Sequence, residues 1–220
     1  MPATPHLLYP LCKHVLLGPA LRRRLDLVVT GADKVPEQGP VIIAANHLAE
    51  IDSLVLPLAI RRRLSFFAKA EYFTAPGVRG LASRAFVSGT GQIPVDRSGD
   101  ATALAAAERV LDHRGAWAIY PEGTRSPDGC LHRGHTGAMR VAARVPGARV
   151  VPVALHGTAE VNPPGTRRVI PGRVTVQIGD PVDASRLVGP ECDIRAGTDR
   201  LMAAIQELGD LDYVDEYARR

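Results

Sequence analysis

Apolar and polar positions alternate along this chain with two periods, and the changes between them mark out its elements. Pro40-Val41-Ile42-Ile43-Ala44-Ala45 is an unbroken apolar run, the pattern of a strand buried on both faces. It ends at Asn46-His47, and Asp52 opens a helical pattern that continues from Leu54 to Ile60. Leu25 to Val29 and Leu64 to Ala68 read as strands, the second delivering Lys69 and Glu71. Residues 77–87 fit a helix, followed by a glycine-marked turn at Ser88-Gly89-Thr90-Gly91 and a brief strand with a charged end at Asp96-Arg97. The alanine-rich stretch 100–113 predicts a helix capped by Asp100, with Gly115 beyond its end. Ala116 to Tyr120, Val150 to Leu155 and Arg173 to Ile178 read as strands, and 134–145 and 194–208 as helices. A Pro/Gly/Arg-rich loop at 159–172 and a short charged tail complete the chain. Strands alternating with helices define the expected class: α/β, with a mixed, largely parallel sheet flanked by helices.

Residues 5–21 are apolar on most sides, with Lys13 and His14 as polar interruptions, and Arg22-Arg23-Arg24 follows at once. Pro10 is expected to kink this short helical segment and Gly18-Pro19 to break it. Two readings stay open. An apolar segment beside a basic cluster suits an interfacial anchor, with arginines on lipid phosphate. The same pattern also suits a helix packed on its own domain. The expected division is a membrane-associating segment over 1–24 and one α/β domain over 25–220.

Composition narrows the classes. The chain has 220 residues, 45% hydrophobic, which suits a single globular domain and not a disordered one. Its net charge of +4 is carried by arginine, since Lys13, Lys34 and Lys69 are its only lysines. Such a surface attracts phosphate groups or an anionic membrane. The charges are spread out and aromatic residues are few, so no nucleic-acid partner is expected. Cys12, Cys130 and Cys192 are odd in number and far apart, which points to a reducing compartment without a disulfide framework. No stretch has the length of a membrane-spanning helix and the start lacks signal-peptide features, so the expected location is peripheral, on the cytoplasmic face of the cell membrane.

The candidate chemistry centres on His47 and Asp52. A strand end and the following helix start lie side by side, so a carboxylate five residues on can reach the imidazole. That pairing fixes one tautomer and stabilises the imidazolium formed when the ring takes a proton. The structural alternative makes Asp52 an N-cap and His47 a polar strand end. Further polar residues stand at strand ends: Lys69, Arg97, and the turn Glu122-Gly123-Thr124-Arg125. In open α/β sheets those ends form the ligand crevice. The Glu-Gly-Thr-Arg turn suits a phosphate, with Gly123 allowing close backbone approach, Thr124 offering donors and Arg125 binding oxygens bidentately. There is no Gly-x-Ser-x-Gly elbow, no dinucleotide fingerprint, no P-loop and no zinc-ligand spacing, so neither a metal nor a redox cofactor is expected.

Four of these stretches together resemble the glycerolipid acyltransferases, the group of bacterial 1-acyl-glycerol-3-phosphate acyltransferases. The family's Asn-His-x4-Asp motif corresponds to Asn46-His47 and Asp52, and its short strand ending in Arg to Gly91 through Arg97. Its Pro-Glu-Gly-Thr-Arg-Ser motif is Pro121 to Ser126 unchanged, and its proline-containing strand resembles Val151-Pro152-Val153-Ala154-Leu155. The likeness runs from about residue 25 to 180 in order and spacing. It implies acyl transfer from acyl-CoA or acyl carrier protein to the hydroxyl of a lysophospholipid, lysophosphatidic acid giving phosphatidic acid. By that resemblance His47 is the general base, Asp52 its partner and Lys69, in Ala68-Lys69-Ala70-Glu71, the oxyanion donor. Arg97, Glu122, Gly123, Thr124 and Arg125 would hold the acceptor. Ala49 and Glu50, and Leu131-His132-Arg133-Gly134, depart from the common pattern near the expected acceptor site. Two alternatives follow: a different lysophospholipid or glycolipid acceptor, or a peripheral protein that binds anionic lipid without turnover.

Overall fold

A computed structural model describes residues 8–95, 101–166, 168–189, 191 and 193–219. The chain enters through α1 (Leu8–Leu11), a π turn (Cys12–Leu16) and α2 (Leu17–Arg24). It continues through β1 (Leu25–Thr30), β2 (Val41–Ala45), α3 (Asp52–Ala59), β3 (Leu64–Lys69), α4 (Glu71–Thr74), α5 (Gly77–Thr90) and β4 (Ile93–Val95). Then come α6 (Ala101–Asp112), β5 (Ala116–Ile119), β6 (Leu131–His132), α7 (Gly137–Ala142), β7 (Arg149–His156) and α8 (Thr158–Val161). The last elements are β8 (Gly172–Ile178), β9 (Val182–Asp183), α9 (Ala184–Val188), α10 (Ile194–Gly209) and β10 (Tyr213–Val214).

The sheet runs β1-β8-β7-β2-β5-β3-β4, with β9 also paired to β7. The five strands from β7 to β4 are mutually parallel, so their carboxyl ends share one edge; β1 and β8 run the other way. β2 lies near the centre and is buried along its whole length. Val41, Ile43 and Ala45 face a core formed with α2 and α3, while Ile42 and Ala44 face one formed with α6, α7, α9 and α10. That two-sided burial explains why the sequence there shows no polar alternation. Trp117 on β5 is fully buried in the second core. Pro152 stands inside β7, where β9 stops at Val150 and β8 begins at Val153, so its missing N–H falls at the junction of two partners.

Several boundaries differ from the sequence expectation. Gly18-Pro19 does not break the entry segment, which stays helical from Leu8 to Arg24. Pro19 follows directly on the π turn, where the helix is widened to i→i+5 bonds such as Leu17 N–H to the Cys12 carbonyl. The π turn brings the Lys13 carbonyl so close to Gly18 that a Cβ there would clash with it. α5 continues through Ser88-Gly89-Thr90 because Leu8 packs where a Gly89 side chain would be, and Gly91 ends it with φ +75°. α7 is shorter than 134–145 because Gly134 and His135 are bonded elsewhere, His135 N–H to the Pro121 carbonyl. The tail is not free: β10 pairs with β6, and Arg133 N–H donates to the Glu216 carbonyl.

The entry segment packs on the domain. Lys13 Nζ donates to the carbonyls of Ile60 and Arg61, and Arg22 to that of Leu58, satisfying the open end of α3. Tyr9 accepts from Leu64 N–H at the start of β3. Leu11, Val15, Leu16 and Leu17 of the same segment remain exposed. Among the described residues no helix is long and apolar enough to cross a membrane.

Candidate active site

β2 delivers His47 two residues past its end, and the tight turn from Leu48 to Ile51 brings Asp52 back beneath it. His47 Nδ1 lies 2.8 Å from Asp52 Oδ2, which also accepts from Leu48 N–H at 2.7 Å and Ala49 N–H at 2.9 Å. Asp52 is the first residue of α3 and is fully buried; its carboxylate points back to the turn and does not cap the helix. A carboxylate can only accept, so Nδ1 carries the proton and Nε2 is left as the basic nitrogen. Tyr120 stacks on the imidazole at 3.9 Å and 10°. Burial, reinforced by the charge of Asp52, holds the Tyr120 phenol well above its ordinary pKa, and its hydroxyl meets that of Ser53.

Three further side chains fix this turn from behind. The amide of Asn46 replaces the next peptide of the ladder, donating to the Leu155 carbonyl at 3.0 Å and accepting Leu155 N–H at 2.7 Å. Asn162 accepts from Ile51 N–H at 3.1 Å and donates to the carbonyls of Thr166 and Arg168. Glu122 accepts from His47 N–H at 2.8 Å and from His132 N–H at 2.9 Å, and is 1% exposed. Burial pushes its carboxyl up to about 7, against the pull of those two amides. Ser126 N–H closes the assembly on the His47 carbonyl.

Of the residues expected to hold the acceptor, then, Glu122 has both oxygens engaged by main chain. Gly123 is exposed with φ +71°, and a Cβ there would come within 2.9 Å of His135. Thr124 is half-buried, and Arg125 is 44% exposed and paired with Glu50 at 3.1 Å. Such an open pair contributes at most about 1 kcal/mol, so an incoming phosphate can displace Glu50. Lys69 is exposed at the end of β3. Arg97 lies outside the described residues; β4, which leads toward it, pairs Val95 with Lys69.

His47, Lys69, Glu50 and Arg125 all line one cavity of about 430 Å³. Its remaining wall is largely apolar: Leu54 and Leu58 from α3, Phe66 from β3, Val87 from α5, and Leu17 and Leu21 from α2. Polar chemistry at one end and an apolar body suit an amphiphile. Among the described residues no group of three or more His, Cys, Asp or Glu could hold a metal ion.

His47, Asp52 and the 122–125 turn are legible in the sequence, whereas Tyr120 and Asn162 are not singled out there. Tyr120 carries a signal, as the aromatic residue between the end of β5 and Pro121. Asn162 carries none, since it reaches the turn across 111 positions.

A histidine–carboxylate pair at the carboxyl edge of such a sheet, facing an apolar cavity, is an arrangement capable of general base chemistry on a hydroxyl or water. The chain belongs to the acyltransferase family, whose Acyltransferase model matches residues 26–156. It is 31% identical over 163 residues to the chloroplastic 1-acyl-sn-glycerol-3-phosphate acyltransferase of Arabidopsis thaliana, covering 72% of this chain and 44% of that protein. To the 1-acyl-sn-glycerol-3-phosphate acyltransferase of Borreliella burgdorferi it is 28% identical over 137 residues, 61% of this chain and 52% of that one. The chain thus spans about half the length of these relatives. The crystal structure of the 1-acyl-sn-glycerophosphate acyltransferase from Thermotoga maritima superposes with a TM-score of 0.68 at 26% identity, covering 87% of this chain and 76% of that one.

Proposed function

We propose that this protein transfers an acyl group from a thioester, acyl-CoA or acyl carrier protein, to the free hydroxyl of lysophosphatidic acid, giving phosphatidic acid. The observation that carries this reading is the 2.8 Å contact of His47 Nδ1 with buried Asp52, made by a ring that faces the amphiphile-sized cavity. Nε2 takes the hydroxyl proton as that oxygen attacks the thioester carbonyl. Asp52 stabilises the resulting imidazolium. The tetrahedral intermediate collapses, the C–S bond breaks, and the departing thiolate takes the proton back from Nε2. Lys69 stabilises the oxyanion, a role typically worth about 3–4 kcal/mol in barrier height. Arg125, released from Glu50, binds the acceptor phosphate, with Gly123, Thr124 and Arg97 completing the cradle. Glu122 acts through the main chain by holding the His47 and His132 segments together. Because the attack needs no covalent enzyme intermediate, the catalytic task is to hold two amphiphiles in line.

Peripheral attachment to the cytoplasmic face of the membrane, through residues 1–24, fits the exposed Leu11, Val15, Leu16 and Leu17. The test is thiol release from acyl-CoA, measured with lysophosphatidic acid and with other lysolipids as acceptors. Release should depend on lysophosphatidic acid, with phosphatidic acid as product. Preferential release with another lysolipid would reassign the acceptor. Lipid binding with no release from any acyl donor would make the protein a binding module.

A further inference from the structure

α5 carries its apolar residues on two faces. Val87 and Thr90 pack inward with Gly80, as a surface helix requires. Val78, Leu81, Ala82 and Ala85 recur at i, i+3, i+4 and i+7, the spacing of one helix face, and all four are exposed. Val78 is 85% exposed and Leu81 60%, and neither lines the cavity. Tyr72 on the preceding α4 is 47% exposed and does line it. A contiguous stripe of this kind marks an interaction surface, unlike single exposed leucines.

The entry segment shows the same division, with Tyr9 and Leu21 turned inward and Leu11, Val15, Leu16 and Leu17 outward. The two elements meet where Leu8 packs on Gly89. Both also wall the cavity, Cys12 and Leu17 from one, Phe86 and Val87 from the other. Leu17 and Tyr72 are at once exposed and cavity-lining, so apolar surface continues from the outside into the cavity on both elements.

We propose that α4–α5 is a second bilayer-docking element, so that the cavity opens between two helical elements seated in the lipid interface. This rests on the reading that the substrates are amphiphiles. A lipid surface fits better than a protein partner, because a rigid partner across both elements would close the route that substrates need. Exposed Lys69 and Arg125 line the same cavity, and exposed Arg22, Arg23 and Arg24 end the helix that carries Leu17, a combination of cations and apolar surface that favours an anionic leaflet. An acyl chain then passes from bilayer to cavity without crossing water.

The test uses the full chain and vesicles of mixed phosphatidylcholine and phosphatidylglycerol. Val78→Asp/Leu81→Asp should weaken vesicle binding about tenfold or more, and lower activity on vesicle-borne acceptor to match. Activity on short-chain, water-soluble donor and acceptor should stay within about twofold of wild type, because neither residue touches the site. If the aspartate variant fails to fold, Val78→Ser/Leu81→Ser gives the same comparison without added charge. Unchanged vesicle binding by a folded variant overturns the proposal, and loss of a dimer with vesicle binding retained assigns the surface to a second copy instead. If the wild-type protein releases no thiol at all, the acyltransfer reading fails, while the binding comparison still decides the docking surface.

Discussion

Asn46, Asp52 and Glu122 lie behind the imidazole of His47 and are at most 1% exposed, each holding main-chain groups in or beside the turn from His47 to Asp52. Lys69, Glu50 and Arg125 lie in front of it, exposed, and the one ion pair among them is open to solvent. Both regions are polar, yet they obey different physics. A buried polar side chain must keep its partners, because an unsatisfied group in the interior costs about 1–3 kcal/mol. An exposed one is held weakly and can change partners at little cost. In the mechanism proposed above, the rear therefore fixes the geometry of proton transfer, and the front is free to meet a charged headgroup. Substitutions on the two sides should separate accordingly.

The largest effect is expected from Asp52→Asn. The amide oxygen can still accept from Leu48, Ala49 and His47, and its NH2 takes the place of Oδ1, which has no hydrogen-bond partner among the described residues. The turn should survive while the charge that supports the imidazolium disappears. Activity should fall about 10²–10⁴-fold with the melting temperature nearly unchanged. A variant with undiminished turnover would mean that the rear is scaffold only.

Next come the two side chains that act through main chain. Asn162→Ala leaves Ile51 N–H without its buried partner and should cost about 1–3 kcal/mol in urea unfolding. Glu122→Gln should cost a similar amount, because an amide NH2 would face one of the two donors that the carboxylate accepts. Glu122 also carries a pH signature. Its carboxyl is raised from 4.5 to about 7 in the folded state. Between those values the native protein keeps a proton that the unfolded chain has lost, so stability falls as pH rises through the window and levels off above it. The difference in unfolding free energy between wild type and Glu122→Gln should therefore narrow from pH 5 to pH 7; a flat difference would argue against a raised Glu122.

The smallest effect belongs to the front. Glu50→Ala frees Arg125 of its competitor and should lower KM for a phosphate-bearing acceptor a few-fold, leaving donor KM and stability unchanged. An increase in acceptor KM would instead make Glu50 part of the cradle.

The same contrast governs what the sequence reveals. β2 is legible because full burial forces an unbroken apolar run, and His47 with Asp52 because their partnership spans five residues. The docking of Asn162 on Ile51 and the pairing of β10 with β6 are long-range and leave no local period. The tail reads as merely charged, although Asp212 and Glu216 act through their carbonyls, which every residue possesses. Gly18-Pro19 misleads for a related reason: a breaker rule assumes an α-helix, and the π turn just before it relieves the conflict. In the same way, the exposed stripe of α5 reads from sequence as an ordinary helix, since periodicity reports that a face exists and not which way it turns.

The most direct measurement compares thiol release from acyl-CoA, in the presence of lysophosphatidic acid, by wild-type protein and by His47→Ala with an unchanged melting temperature. Nε2 is the group assigned to take the hydroxyl proton, so release should drop to the uncatalysed background while vesicle binding stays at the wild-type level. A folded His47→Ala protein that still releases thiol at near wild-type rate would contradict the account.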